Sequence, residues 1–241
     1  MDKKGWIIFG VIVVVLFGGL IILSQKNKID VSGINVNVVT SASDKNGNIA
    51  DHVFGKKDSK VVLIEYGDFQ CPYCGNDYAG IKAVADKYQG QIAFVFRNLP
   101  LTTLHPNALA GASAAEAAGL QGKYWQMHDL LYENQDDWSN AASTSARTDK
   151  FAGYAEQLGL NVDKFKTDMS SDQVQKKIAF DRALFKKTGY EQSTPTLVLD
   201  GTKLADDIPS DQSKLDSTVA AELKKDNIAL PDTAKKTTTK K

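Results

Sequence analysis

Val61-Val62-Leu63-Ile64-Glu65-Tyr66-Gly67-Asp68-Phe69-Gln70-Cys71-Pro72-Tyr73-Cys74 is the stretch whose reading decides the fold. Val61 to Tyr66 is apolar apart from Glu65, the pattern of a central strand covered on both faces. A short turn follows, and the segment from about Gly75 to Tyr88 has helical character. Pro72 falls in the first turn of that helix, where its missing N–H is tolerated. Cys71 and Cys74 are the only cysteines in the chain. A strand, a turn and a helix opening on a cysteine pair form a redox architecture.

Each position has a physical reason. With Cys71 at the helix start, unpaired backbone N–H groups and the positive end of the helix dipole favour its thiolate. Cys74, one turn further in, is more shielded and able to resolve a mixed disulfide. Pro72 fixes the backbone between them and Tyr73 adds no positive charge, so this dipeptide tunes how oxidising the pair is. The competing readings are half a zinc site and a structural disulfide. Zinc needs two more ligands, yet there is no second cysteine pair, and His52, His105 and His128 are scattered along the chain. A static bridge across so short a loop adds little chain-entropy stabilisation. A dithiol centre is therefore expected, with no metal and no cofactor beyond the Cys71–Cys74 pair.

Glu65 is the next candidate. On an exposed strand edge it would simply face water. Within so apolar a run it is expected to be buried, where ionisation costs free energy and its pKa rises. An acid beneath the cysteines could take and return a proton during thiol exchange.

Further outward, Ile92 to Phe96 reads as a strand ended by Arg97-Asn98-Leu99-Pro100. This gives a β-α-β unit with a right-handed crossover. From Pro106 to about Thr188 no strand pattern appears. Helices are predicted over Ala108–Leu120, Lys123–Glu133, Asp149–Leu158, Asp163–Met169 and Asp172–Lys187, with a polar loop over Ser139–Ser145. His128 lies on the second helix, and two of the last three are assigned Asp caps. The strand pattern resumes at Thr196–Leu199, after Thr194-Pro195, and Asp200-Gly201 offers a tight turn into Thr202–Leu204. A proline at a strand start is often no more than a turn. A last helix spans roughly Asp211 to Lys225.

At the amino end, Met1-Asp2-Lys3-Lys4 precedes an uncharged run from Gly5 to Leu23. That length suits a helix crossing about 30 Å of hydrocarbon. The rival is a cleaved signal peptide, whose apolar core is shorter, about 7–15 residues, and ends in small residues. Here Leu23 runs into Ser24-Gln25-Lys26-Asn27-Lys28, so an uncleaved anchor is preferred. Lysines flank the run on both sides, so the charge bias for orientation is weak. The expected organisation is an anchor over residues 1–24, a tether over 25–50 carrying one short strand (Ile34–Val39), a domain over 51–228 with a helical insertion at about 105–188, and a disordered Thr/Lys tail over 229–241. Basic and acidic residues balance at 29 each, so no charge bias points to nucleic acid.

Val61–Cys74, Phe94–Leu101, Gly122–Gln135 and Ser193–Gly201 together resemble the DsbA-like thiol–disulfide oxidoreductases, especially the membrane-anchored or exported proteins of Gram-positive bacteria. The four segments occur in that family's order and cover about residues 50 to 225. The resemblance implies an α/β, thioredoxin-like fold with an inserted all-helical subdomain, preceded by one N-terminal transmembrane helix. It implies that Cys71 is the nucleophile, Cys74 the resolving cysteine, Glu65 the buried acid and Pro195 a cis proline. Pro72, Tyr73, Thr194 and Pro195 would face the substrate. One departure is Pro-Tyr between the cysteines where the best-known members carry Pro-His, which removes a cation beside the thiolate and implies a milder oxidant.

The implied function is introduction of disulfide bonds into exported, thiol-containing proteins by a single-pass cell-membrane enzyme whose catalytic domain lies on the extracytoplasmic side. Thiols persist as disulfides there rather than in the cytosol. Reoxidation would need a membrane partner of the DsbB or vitamin K epoxide reductase type. A reductase or isomerase of the same fold is the alternative within the class; a non-catalytic peptide-binding or chaperone module is the alternative outside it.

Overall fold

The computed structural model describes residues 29–231 and the isolated Val13. The transmembrane reading of residues 5–23 and the Thr233–Lys241 tail lie outside the described residues. Among those described, no helix is long and apolar enough to cross a membrane.

A five-stranded sheet forms the centre. Its strands are β1 (Val53–Gly55), β2 (Val62–Gly67), β3 (Ala93–Asn98), β4 (Thr196–Leu199) and β5 (Thr202–Lys203), in the order β1-β3-β2-β4-β5. β2 and β3 run parallel, joined across one face by helix α1 (Pro72–Lys87). β4 is antiparallel to β2 and places Leu197 opposite Glu65, while Phe96 of β3 flanks Glu65 on the other side. Every residue of β2, β3 and β4 is buried, as expected for an apolar strand covered on both faces. The β4–β5 turn has positive φ at Asp200 (46°) and Gly201 (82°), the geometry that matches strand twist in a two-residue hairpin.

Between β3 and β4 lies the helical insertion: α2 (Ala108–Gly119), α3 (Tyr124–Glu133), α4 (Gln135–Ser139), α5 (Thr144–Gln157), α6 (Val162–Met169) and α7 (Asp172–Thr188). A final helix, α8 (Gln212–Lys225), buries Leu215, Val219 and Leu223 against Ile81 and Val84 of α1 and Tyr88 at its C-cap. A second apolar cluster joins the insertion to the end of the sheet through Phe69, Phe96, Met127, Leu131, Trp138 and Phe151. Both cysteines belong to this second cluster. The thioredoxin-like arrangement with an inserted helical subdomain is thus present.

Several local expectations need correction. Residues 34–39 form no strand, and residues 31–51 are not a free tether. Arg97 Nη1 donates to the Val36 carbonyl (2.5 Å) and Nη2 to the Val38 carbonyl (2.7 Å), which takes these groups away from any ladder. Lys187 Nζ holds the carbonyls of Val31, Ser32 and Ile34. Asn46, Ile49 and Asp51 are buried in the domain. The edge strand β1 comes from a stretch that has no apolar alternation. Helix α5 starts at Thr144 rather than Asp149, capped by Ser143, and α4 fills part of what reads as the run into a polar loop. The caps of α6 and α7 are Asn161 and Ser171; Asp163 and Asp172 occupy the first turns, where they favour the helix dipole. The last helix begins at Gln212, close to the predicted start, with Asp211 as its cap.

The reason β3 continues through Arg97 and Asn98 is a buried ion network. Arg97 Nη2 meets Asp51 Oδ2 at 2.8 Å, and Lys177 Nζ meets Asp51 Oδ1 at 3.0 Å and Asp181 Oδ1 at 2.6 Å. Asn98 donates to Asp181 through its backbone and side chain (3.1 Å each) and to Glu116 Oε1 (2.7 Å). These contacts tie the amino-terminal segment, the sheet and the insertion together. Lys177→Met should therefore destabilise the protein by roughly 3–5 kcal/mol, because it leaves the buried Asp181 carboxylate without its ion-pair partner, while Asp51 keeps Arg97; chemical denaturation followed by circular dichroism measures it, and a loss below about 1 kcal/mol would contradict this assignment.

Candidate active site

Helix α1 begins at Cys71, the N-cap residue, in extended conformation (φ −67°, ψ 122°), with Pro72 in the first turn. The approach to Cys71 is set by Asp68. Its Oδ1 accepts the Gln70 N–H (2.8 Å), its carbonyl accepts the Cys71 N–H (3.0 Å), and its Oδ2 accepts the Leu101 N–H (2.9 Å). His105 Nδ1 lies 2.8 Å from the same Oδ2. On the other side, Gln135 Nε2 donates to the carbonyls of Phe69 and Cys71, both at 2.8 Å. Gly75 makes that approach possible, since a Cβ there would lie 2.5 Å from Gln135 Oε1. The turn carrying Cys71 is clamped between the β3–α2 loop and the start of α4.

The two cysteine sulfurs are unbonded thiols in the structure. Cys74 is fully buried, and burial, followed by the Cys71 sulfur beside it, pushes its thiol well above the ordinary range. Cys71 is pulled down to about 6. The Cys74 thiol donating to it is the largest cause; burial opposes; the Thr194 hydroxyl and the N–H groups of Cys74 and Tyr73 add to the lowering. As a thiol, Cys71 Sγ donates to the Thr194 carbonyl at 3.4 Å. The Thr194–Pro195 peptide is cis. Tyr73 is 72% exposed beside the pair, the most exposed large apolar side chain of the described residues.

Glu65 lies beneath. It is buried, and burial, then the charges of Asp77 and Cys71, raise its carboxyl to about 8. Its Oε1 sits 3.1 Å from where a Cβ on Gly67 would be, at the strand end that leads into the cysteine turn. The structure therefore brings together Glu65, Cys71, Pro72, Tyr73, Cys74, Thr194 and Pro195, residues separated by up to 130 positions. Sequence reading missed Asp68, His105 and Gln135. An Asp opening a turn before a helix is a recognisable turn signal, so Asp68 was findable; Gln135 carried none, because its partners are main-chain carbonyls far away in sequence. Among the described residues, no group of three or more His, Cys, Asp or Glu is arranged to hold a metal ion.

The sequence model of the family described as Thioredoxin matches residues 47–220. The chain belongs to the thioredoxin family. Among solved structures, this thioredoxin-family domain is similar to a thioredoxin-like oxidoreductase from Silicibacter pomeroyi, 26% identical, TM-score 0.57, covering 76% of this chain and 99% of that one. BdbD from Bacillus subtilis, in its oxidised form, shares the fold at 21% identity and TM-score 0.61, over 78% of this chain and 98% of that one. The overall architecture is DsbA-like, as in other neighbours of this kind. Among curated relatives, the Na(+)/H(+) antiporter NhaA 1 of Salinispora arenicola is 40% identical over 131 residues, which is 54% of this chain and 19% of that protein. The chain spans about a fifth of the length of such relatives, so antiport is a property of the longer proteins' names.

Glu65→Gln tests the buried acid. A folded-state pKa raised from 4.5 to about 8 means stability that is fully present below pH 4.5 and lost as pH rises through 8. The amide removes that loss. Glu65→Gln should therefore unfold at higher denaturant than wild type, with a gap that widens from pH 5 and reaches roughly 4 kcal/mol at pH 8; a gap that stays constant with pH contradicts the raised pKa.

Proposed function

We propose that the chain is a thiol–disulfide oxidoreductase that works outside the cytoplasm and introduces disulfide bonds into exported proteins. The observation that carries this reading is the asymmetry of the pair: Cys71 favours its thiolate, while Cys74 is held as a thiol. A substrate thiolate attacks Cys71 Sγ of the oxidised pair. The Cys71–Cys74 bond breaks, and Cys74 leaves with the electron pair and takes a proton from Glu65. A second substrate thiolate then attacks the substrate sulfur of the mixed disulfide. Its product is a substrate disulfide, and Cys71 departs as a stabilised thiolate. A leaving thiol of low pKa leaves faster, and stabilising it stabilises the reduced enzyme, which makes the disulfide oxidising.

In this mechanism Cys71 and Cys74 are the catalytic sulfurs and Glu65 the proton donor. Tyr73, Pro72 and the Thr194–Pro195 backbone would receive the substrate polypeptide. The two electrons gained pass to a membrane partner of the DsbB or vitamin K epoxide reductase type; the apolar run over residues 5–23 supports a location at the cell membrane, and the disulfide chemistry of the cysteine pair supports the domain lying outside. The antiporter-named relatives match only this domain over part of their length, so nothing in their names is carried to the reaction.

The reduction potential tests the direction of the reaction. A value near about −120 mV marks an oxidase and one near about −270 mV a thioredoxin-like reductase. Its pH dependence has a defined shape. Above pH 6 and below the Cys74 pKa, reduction binds one proton per two electrons, so the potential should fall about 30 mV per pH unit; below pH 6 it binds two, and the slope should be about 60 mV. Equilibration with glutathione buffers measures both. A single slope through pH 6 contradicts the thiolate assignment, and wild-type turnover by Cys71→Ser contradicts the reading as a whole.

A further inference from the structure

His128 has no part in the reaction as derived so far, and its surroundings are unusual. It sits on α3, buried, among the rings of Phe69, Phe96, Trp125 and Tyr132. Its Nδ1 lies 3.1 Å from Asp129 Oδ1, which assigns the proton to Nδ1 and leaves Nε2 as a bare acceptor. Nε2 is buried and has no hydrogen-bond partner. A buried polar atom without a partner is costly, and each one asks for a reason.

The reason lies in a narrow cavity with room for a water molecule, walled by Glu65, Tyr78, Lys82, Trp125, His128 and Asp129. Glu65 is its buried wall. Its outer end is Asp129, 27% exposed, and Lys82, 35% exposed, whose Nζ is 3.4 Å from Asp129 Oδ2 and 3.4 Å from Asp86. Glu65 and His128, the residue with the unpartnered imidazole nitrogen, therefore line the same cavity. The charged and titratable groups around it and its Glu65 wall are Cys71 at the start of α1, Cys74, Asp77, Tyr78, Lys82 and Asp86 of α1, Asp129 and Tyr132 of α3, and Glu65 of β2. Burial holds the His128 imidazole below its ordinary pKa, so it is neutral and its lone pair is available.

We propose that His128 and Asp129 form a proton relay that connects the buried Glu65 carboxyl to solvent through a water in this cavity. The inference rests on the reading of Glu65 as the proton carrier for Cys74. In the dithiol form Glu65 is protonated at neutral pH and cannot accept the Cys74 proton until it has released its own. The Glu65 proton passes by the water to His128 Nε2, and the Nδ1 proton passes to the Asp129 carboxylate and then to solvent. Glu65, now a carboxylate, takes the proton of Cys74, and the Cys74 thiolate attacks Cys71 sulfur in a mixed disulfide, releasing the other thiol. One proton leaves the protein and His128 remains neutral. The reverse sequence brings a proton in when Cys74 departs as a thiolate. His128 is a positioning and relay residue: it touches neither sulfur.

The test is the rate at which the reduced full-length protein is oxidised by glutathione disulfide, measured across pH. His128→Gln keeps size and polarity but cannot pass a proton, and it should slow the reaction below pH 8 by about tenfold, less than the hundredfold or more of a direct acid–base group. The ultraviolet titration of the Cys71 thiolate should not move. In a Glu65→Gln background the same substitution should have no further effect, since both act on one step. His128→Ala should be slowed likewise and accelerated by added imidazole. A wild-type rate for His128→Gln across pH, or equal slowing in the Glu65→Gln background, overturns the relay. If Glu65→Gln alone reacts at the wild-type rate, the failure belongs instead to Glu65 as proton carrier. Should His128→Ala not fold, the glutamine variant decides.

Discussion

The start of α1 leaves N–H groups that no helical carbonyl can satisfy. At Cys71 they meet a sulfur instead of water or a capping oxygen. The N–H groups of Tyr73 and Cys74 point to it, and no side chain caps the helix. This is the constraint on which the chemistry depends, because a thiolate placed one residue earlier or later would lose those donors. Holding it there is a tertiary task. Asp68 fixes the turn from the strand side, Gln135 grips two carbonyls from the insertion, and the Thr194 carbonyl approaches from the loop before β4. Glycine at position 75 is part of the clamp, since any side chain would collide with Gln135.

Below the sulfurs the same burial that closes the core sets up two opposed titrations. Cys74 and Glu65 both resist ionisation for want of water, while Cys71 at the helix start accepts it. The three groups are close enough that the charge of one enters the cost of the next. Burial elsewhere is handled differently. Arg97, Lys177, Asp51, Asp181, Glu116 and Asn98 are all buried, and each finds opposite charge or a hydrogen bond. That network is structural: it joins the amino-terminal segment to the sheet and the insertion. Glu65 lacks such a counter-charge, which separates it from the structural acids of the same core.

The elements that were legible in the chain are those whose cause is local. The apolar run Val61–Tyr66, the Ala-rich α2 and the Asp200-Gly201 turn depend on neighbours within a few residues, and they stand where periodicity and turn chemistry put them. What went unread has distant causes. Residues 34–39 alternate like a strand, yet their carbonyls are taken by Arg97, about sixty positions on. β1 is three residues long and exists because β3 offers an edge. Arg97 and Asn98 look like the polar end of a strand until their partners on α2, α7 and the amino-terminal segment are in place.

The chain by itself determined the cysteine pair, the strand and helix that carry it, the helical block between two strand-bearing halves, and the isolation of Glu65 in an apolar run. These follow from residue type and spacing, which a linear reading contains. Only the tertiary structure decided that Thr194 meets Cys71, that Gln135 holds the cysteine turn, and that His128, with its unpartnered nitrogen, lines one cavity with Glu65. Those contacts join positions 60 to 125 residues apart, and their energies come from desolvation and from paired main-chain groups. Neither is written in any one stretch of sequence.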